Sequence, residues 1–335
     1  MKRDLSHRSV DMNVVAIGGG NGMSTLLQGL KTFVSPEAAS SPSIRDLSAI
    51  VAVTDDGGSS GRLREELRML PPGDIRNCMV ALSEDSGLLS RLFQFRFTGQ
   101  GALSGHSFGN LFLAALTEIT GDFAEAVKLS SEILASKGHI YPATVADVRL
   151  VADLEDGRTI RGETNIGKVG TKIRRLYLEP ENCKPLEPAL EAIENADLIT
   201  VGPGSLFTSL IPPILVRGVA GAIAESAASK IYISNLMTQP GETDGFSAFH
   251  HLECLRRHAP EIIFDYVVVN DRPISSTQVE KYAGEGAEQI GIHGSISSLT
   301  IMDADVIFKN LLDDDEKVRH HPDRLARAVL SLAKL

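Results

Sequence analysis

The stretch Asn13-Val14-Val15-Ala16-Ile17-Gly18-Gly19-Gly20-Asn21-Gly22-Met23-Ser24-Thr25-Leu26-Leu27 decides the fold. Its first five residues are a short apolar, β-branched run of the kind that forms a parallel strand buried on both faces. Gly18 to Gly22 then makes a turn, and Leu26, Leu27 and Leu30 recur at helical spacing across residues 23–33. A second buried-strand pattern over 47–53 ends at Thr54-Asp55-Asp56. Strand, glycine turn, helix and strand open a βαβ unit, whose two strands run parallel.

From residue 57 to about 134 the spacing predicts helices alone: 59–70, stopped by Pro71-Pro72, then 74–82, 88–95, 108–120 and 123–134. The period changes to two at 147–154 and 159–163, around the turn Glu155-Asp156-Gly157-Arg158, which is a hairpin signal. Residues 172–178 suit an adjoining strand. The α/β rhythm resumes with strands at 198–201, 231–234 and 266–269 and helices at 214–226, 249–257 and 323–333. The expectation is a Rossmann-like, doubly wound, mostly parallel α/β sheet in one domain, residues 13–335. It carries a helical insert at about 59–135 and an antiparallel hairpin insert at about 139–180, behind a flexible tail of residues 1–12. The Pro/Ser-rich residues 35–43 read as an exposed loop.

A chain of 335 residues with 43% hydrophobic content can bury a large core. Its formal charge of −10 argues against nucleic acid or anionic membrane as a partner, since both select a basic surface. Any phosphate-bearing ligand must be held by local donors against that field. No apolar run approaches the roughly 20 residues that a bilayer span needs. The polar amino terminus has no apolar signal core, so a cytoplasmic protein is expected. Cys78, Cys183 and Cys254 are odd in number and widely spaced, giving neither a disulfide framework nor a zinc pattern.

Six segments carry candidate chemistry. In the first loop Gly19, Gly20, Asn21 and Gly22 let the backbone approach a phosphate, with a helix N-terminus behind them. The spacing fits neither a P-loop nor a clean dinucleotide fingerprint. The second, 54–64, starts at a strand's carboxyl end, where open α/β sheets place ligands. Asp55 and Asp56 are candidate metal ligands and candidate catalytic groups, a carboxylate there suiting Mg²⁺ or a ribose hydroxyl. Adjacent side chains of an extended segment point opposite ways, so one of the two is expected to reach the ligand. Ser59 and Ser60 suit caps of the next helix and Arg62 a ligand contact or a solvated charge. The third, 71–78, offers Asp74 as an N-cap or, with Arg76 and Asn77, as part of a ligand-facing cluster; the fourth, 104–111, offers His106 and Asn110. The fifth, Gly202-Pro203-Gly204-Ser205, is a second candidate anion cradle, and two such loops can embrace one diphosphate at a switch point. The sixth, 234–245, contains Asn235 and Thr238, whose polar groups can read a base, ribose or sugar. The adjacent pairs His250-His251 and His320-His321 do not share a helix face as metal ligands do.

GGGNGMSTLL at 18–27, TDDGGSSGRLR at 54–64, PPGDIRNC at 71–78, GHSFGNL at 105–111, GPGSLFTSLIPPILV at 202–216 and SNLMTQPGETDGF at 234–246 together resemble the CofD/YvcK-like superfamily. More narrowly they resemble its gluconeogenesis factor branch, the YvcK type, across nearly the whole chain after residue 12. The resemblance implies a Rossmann-like fold, usually dimeric, in the bacterial cytoplasm. It implies a uridine-diphosphate sugar or other nucleotide as ligand, and a role in growth on gluconeogenic carbon sources and in cell shape and cell-wall homeostasis. It places Asp55 and Asp56 in the family's acidic, Mg²⁺-binding loop, Gly18 to Gly22 and Gly202 to Ser205 at the nucleotide, and Asn235 and Thr238 near it. The alternative it implies is a Mg²⁺-dependent 2-phospho-L-lactate transferase, moving a phospholactyl group from a guanosine diphosphate conjugate to an acceptor hydroxyl. The glycine loop alone leaves open a third reading, a dinucleotide-dependent oxidoreductase.

Overall fold

The computed structural model describes residues 11–34, 42–84, 87–168, 170, 172–291 and 300–333. The expected tail at residues 1–10 and most of the 35–43 loop lie outside them. The chain begins with β1 (Asp11–Gly18), α1 (Gly20–Leu30) and β2 (Ser43–Val51). Five helices follow: α2 (Gly58–Leu67), α3 (Gly73–Leu82), α4 (Leu88–Gln94), α5 (Phe108–Thr120) and α6 (Phe123–Ile133). After β3 (His139–Pro142) come β4 (Arg149–Leu154), β5 (Thr159–Arg161), α7 (Glu163–Ile166), β6 (Ile173–Glu179) and α8 (Glu187–Glu194). The remaining strands are β7 (Leu198–Val201), β8 (Ser229–Ile233), β9 (Tyr266–Asn270), β10 (Thr300–Ile301) and β11 (Ala304–Lys309). Helices at Ala248–His258, Ser276–Gly284 and Pro322–Leu330 complete the pattern.

The main sheet runs β10-β11-β9-β8-β7-β1-β2-β3. Every pairing in it is parallel except that of the edge strand β10 with β11. β4, β5 and β6 form a separate antiparallel sheet, ordered β5-β4-β6. β1 is apolar on both faces because it is covered on both: Val15 and Ile17 point into one core, Met12, Val14 and Ala16 into the other. The first core also takes Leu150, Ala152, Leu176 and Leu178, which seats the small sheet against the domain.

Several expectations are corrected. The 1–12 tail is too long, since Asp11 and Met12 belong to β1 and Met12 is fully buried. The hairpin insert does not start at 139: residues 139–142 are β3, a strand of the main sheet paired in parallel with β2. The helices α2 to α6 are therefore the crossover between β2 and β3. Ser59 and Ser60 are not caps, because α2 is capped by Gly57 without a side-chain bond. Asp74 is not the N-cap of α3, which is Pro72. The helix expected at 214–226 is broken: a π-helical turn at Leu206–Leu210 leads into Ile211–Leu215, and a second helix starts at Val219 after Gly218, whose φ is 91°.

Candidate functional site

The strand order places a topological switch point beside β1. From β1 the chain moves outward through β2 to β3, then returns to β7 on the other side and continues through β8, β9 and β11. Ligands of open α/β sheets bind outside the carboxyl ends of the strands at such a point. β1 and β7 end level: Ile17 pairs with Val201, and the Gly202 N–H donates to the Ile17 carbonyl at 3.1 Å. Their loops therefore leave the sheet side by side.

The two loops touch. A Cβ on Gly22 would lie 2.5 Å from the Pro203 carbonyl oxygen, so only glycine permits this approach. A cleft of about 610 Å³ opens over the junction, lined by Asn21, Gly22, Asn77, Pro203, Gly204 and Asn235. Lys31, Arg91 and Arg319 bring positive charge to its walls, and Gln239 and His320 also line it. The first turn of α1 carries no acidic residue. Its early N–H groups lack intrahelical partners, which makes the Asn21 and Gly22 amides donors for an anion.

Not every amide of the two loops is free for that task. Asn235 accepts from Gly204 N–H at 3.1 Å and returns a bond from Nδ2 to the Gly204 carbonyl at 2.8 Å. Its role is to hold the second loop. Gln239 Nε2 donates to Ser205 Oγ at 2.7 Å and braces the next residue. Gly20 N–H donates to the Asp74 carboxylate. That carboxylate packs on the first loop so closely that a Cβ on Gly19 would lie 2.5 Å from Asp74 Oδ2.

An acidic cluster adjoins the loop. Burial and the neighbouring Asp55 charge push the Asp74 carboxyl up to about 6, against the bond from Gly20 and the Arg76 charge. Glu163, at the start of α7, is raised well above the ordinary carboxylate range by burial first and by Asp55 and Asp74 next. Thr54 Oγ1 donates to Glu163 Oε2 at 3.0 Å. Sequence reading missed Glu163; it reaches the cluster from the small sheet, 109 residues from Thr54, and no local pattern marks it. Asp55 and Asp56 point apart, as their adjacency predicts. Asp55 Oδ1 accepts from Gly57 N–H at 2.9 Å, and a Cβ on Gly73 would lie 3.0 Å from its Oδ2. Asp56 instead accepts from the Thr164 N–H and hydroxyl at 2.9 and 2.7 Å, latching α7 to the loop.

The remaining candidates lie behind this surface. His106 is buried with Nδ1 2.9 Å from Ser59 Oγ, which also accepts from Asn110 Nδ2 at 3.1 Å. Burial, then the Arg62 charge, lowers its pKa and keeps the ring neutral. Arg76 joins the group through Ser107 at 2.5 Å and Asn110 at 3.2 Å, and bonds Asn77 at 2.5 Å. This network ties α2, α3 and α5 together and sets Asn77 on the cleft wall. Arg62 donates to the Ser104 carbonyl at 2.7 Å, away from the cleft lining. Thr238 is buried, exchanging bonds with Glu288 at 2.8 Å in both directions. Cys78, Cys183 and Cys254 are all buried free thiols.

A divalent cation fits this arrangement. Asp74 stands against the loop that would hold a phosphate, and its charge is resisted by Asp55. Asp55 and Asp74 would be the residues to hold such a cation, whose charge would relieve the repulsion between them. No group of three or more acidic, His or Cys side chains among the described residues is arranged as a metal cage. Mg²⁺ commonly takes only one or two protein carboxylates and completes its shell with water and phosphate. Among the described residues no single helix is long and apolar enough to cross a membrane.

Residues 14–312 match the family described as 2-phospho-L-lactate transferase CofD. The gluconeogenesis factor of Halalkalibacterium halodurans is 46% identical over 319 residues, covering 95% of each chain. That of Bacillus subtilis is 42% identical over 322 residues, covering 96% of this chain and 98% of its own. A crystal structure of a UPF0052 family protein from Bacillus halodurans superposes with a TM-score of 0.88 at 45% identity, covering 96% of this chain and 99% of that one.

Proposed function

The chain belongs to the CofD family, and from that premise we propose that its switch-point cleft binds a nucleoside diphosphate conjugate, a uridine-diphosphate sugar first, as part of a gluconeogenesis factor. The observation that carries the reading is the contact of the two strand-end loops, Gly22 against Pro203 and Gly204, at the floor of a cleft with cationic walls. The α1 amides at Asn21 and Gly22 would take one phosphate. Lys31, Arg91 and Arg319 offset the chain's negative field locally. Asp55 and Asp74 would hold Mg²⁺, which when bound would neutralise the diphosphate beside them. On this reading the protein supports growth on gluconeogenic carbon sources and envelope maintenance, as a cytoplasmic homodimer. Calorimetry with uridine diphosphate, uridine diphosphate glucose and guanosine diphosphate, each with and without Mg²⁺, tests the binding; absence of heat from all of them overturns it.

A second reading is transfer of a phospholactyl-type group, favoured by the raised carboxyls of Asp74 and Glu163 beside the loop. A carboxylate with a raised pKa can take a proton from an acceptor hydroxyl near neutral pH. Release of guanosine monophosphate from a phospholactyl guanosine conjugate would establish it. Intact recovery of a tightly bound uridine-diphosphate sugar would refute it.

A further inference from the structure

The two most exposed large apolar side chains among the described residues, Ile119 at 79% and Leu88 at 78%, stand on neighbouring helices of the β2–β3 crossover. Leu88, Leu92 and Phe95 follow helical spacing, so they form one row along α4, and all three are exposed. α4 lies alongside α5 and is antiparallel to it. The Phe108 N–H donates to the Phe95 carbonyl at 2.8 Å, and the Phe93 ring packs on Phe108 and Phe112 with centroids 6.0 and 5.0 Å away. On α5 the positions Phe108, Phe112, Ala115 and Ile119 make a second row at the same spacing. Its first two members adjoin α4, and the exposed Ala115 and Ile119 carry the apolar surface onward. Single exposed apolar residues are ordinary, but two adjoining rows form a patch of the kind that docks a partner.

The charges at the borders of the patch identify the partner. By helical phase Arg91 lies on the outer border of the α4 row, on the side where Ser90 and Gln94 line the cleft. Glu118 lies on the outer border of the α5 row, away from α4. Both residues are exposed, and neither has an ion-pair partner among the described residues. The face is therefore cationic along one edge, apolar in the middle and anionic along the other, which makes it complementary to itself. A twofold axis parallel to the helices lays α4 of each copy over α5 of the other. The apolar rows then close on each other, and each Arg91 meets the Glu118 of the second copy. Laying α4 over α4 would set arginine against arginine. We infer that a second copy of this chain covers the face, and that α4 and α5 of the two copies form a four-helix, twofold interface. This assignment rests on the homodimer reading above and adds to it the surface that pairs.

The test is sedimentation equilibrium on the full chain, without ligand. The variants are Leu88→Glu, Ile119→Glu, Arg91→Glu, Glu118→Arg and the double reversal Arg91→Glu with Glu118→Arg. Ile263→Glu, at an apolar residue 69% exposed and outside both helices, is the control. Wild type should be a dimer. Leu88→Glu and Ile119→Glu should each raise the dissociation constant about a hundredfold, because each would bury an unpaired carboxylate. Each single charge reversal should raise it about tenfold, and the double reversal should regain the wild-type value, which damage to the fold would not do. Ile263→Glu should leave it unchanged. A wild-type dimer that none of the α4 and α5 substitutions weakens overturns the assignment and leaves the homodimer reading intact. A double reversal no tighter than the single ones overturns the twofold pairing of Arg91 with Glu118. A monomeric wild type overturns the assignment and the homodimer reading together.

Discussion

Asp74 shows how a single residue joins the chemistry of the site to its stability. An ordinary aspartate titrates near 3.9, and this one is held at about 6 by burial and by Asp55. The folded protein thus binds a proton more tightly than the unfolded chain. The stability it gains is fully present below about pH 4 and is lost as pH rises through about 6. Asp74→Asn should therefore be more stable than wild type at pH 7.5, by on the order of 2 kcal/mol, and no more stable at pH 4. Urea unfolding at the two pH values measures this, and a variant no more stable at pH 7.5 contradicts the burial of that charge. Mg²⁺ should stabilise wild type at pH 7.5 and leave the variant unchanged. The adjacent aspartates should part company. Asp56→Ala loses two bonds to Thr164 and should lower stability by about 1 kcal/mol. Asp55→Asn, which keeps an acceptor for Gly57, should melt like wild type yet lose Mg²⁺-dependent ligand binding. If the two variants behave alike in melting and in calorimetry, the division of labour is wrong.

At the scale of elements, the junction between the β1 and β7 loops is the tightest constraint. Gly22→Ala would force Cβ into the Pro203 carbonyl, so the loops must separate. The expected result is about 1–3 kcal/mol of lost stability and loss of nucleotide binding; wild-type affinity in calorimetry would show that the contact does not shape the cleft. Much of the element plan was legible. β1 declared itself because a strand covered on both faces must be apolar throughout, and the small sheet did so through the alternation of Leu150, Ala152 and Leu154 and of Leu176 and Leu178, which point into the core. β3 escaped because His139-Ile140-Tyr141-Pro142 is four residues long and ends in proline, which suits an edge strand but has no turn signal to bound it. Of the candidate site, the meeting of the two glycine loops and the nearness of Asp55 were readable, since all three follow strands that end at one edge of the sheet. Glu163 was not singled out, because it reaches the cluster through tertiary packing; Gln239 lay unmarked within the sixth segment, and His320 was read only as one of an adjacent histidine pair. The amides of Gly204 and Gly20 looked free in sequence and are not, since Asn235 and Asp74 arrive from distant segments to claim them.

For the molecule as a whole, the formal charge of −10 opposes an anionic ligand. Salt screens that long-range repulsion, while short contacts to amides and to Lys31, Arg91 and Arg319 in the cleft are screened less. Affinity for uridine diphosphate at saturating Mg²⁺ should therefore stay level or rise between 50 and 300 mM salt. A steep fall, as seen where a basic surface gathers its ligand, would mean that the cleft cations act as a diffuse patch.

The walls of the cleft come from opposite ends of the chain. α1 supplies one side and residues 318–320 another, while the helix Pro322–Leu330 clasps α1 where Gly29 meets the Pro322 backbone. During synthesis the sheet's central strands can assemble long before His320 has left the ribosome. Until it does, the pocket lacks a side. A chain cut short near residue 311 would therefore lack one wall of the cleft, whatever part of its sheet it folds.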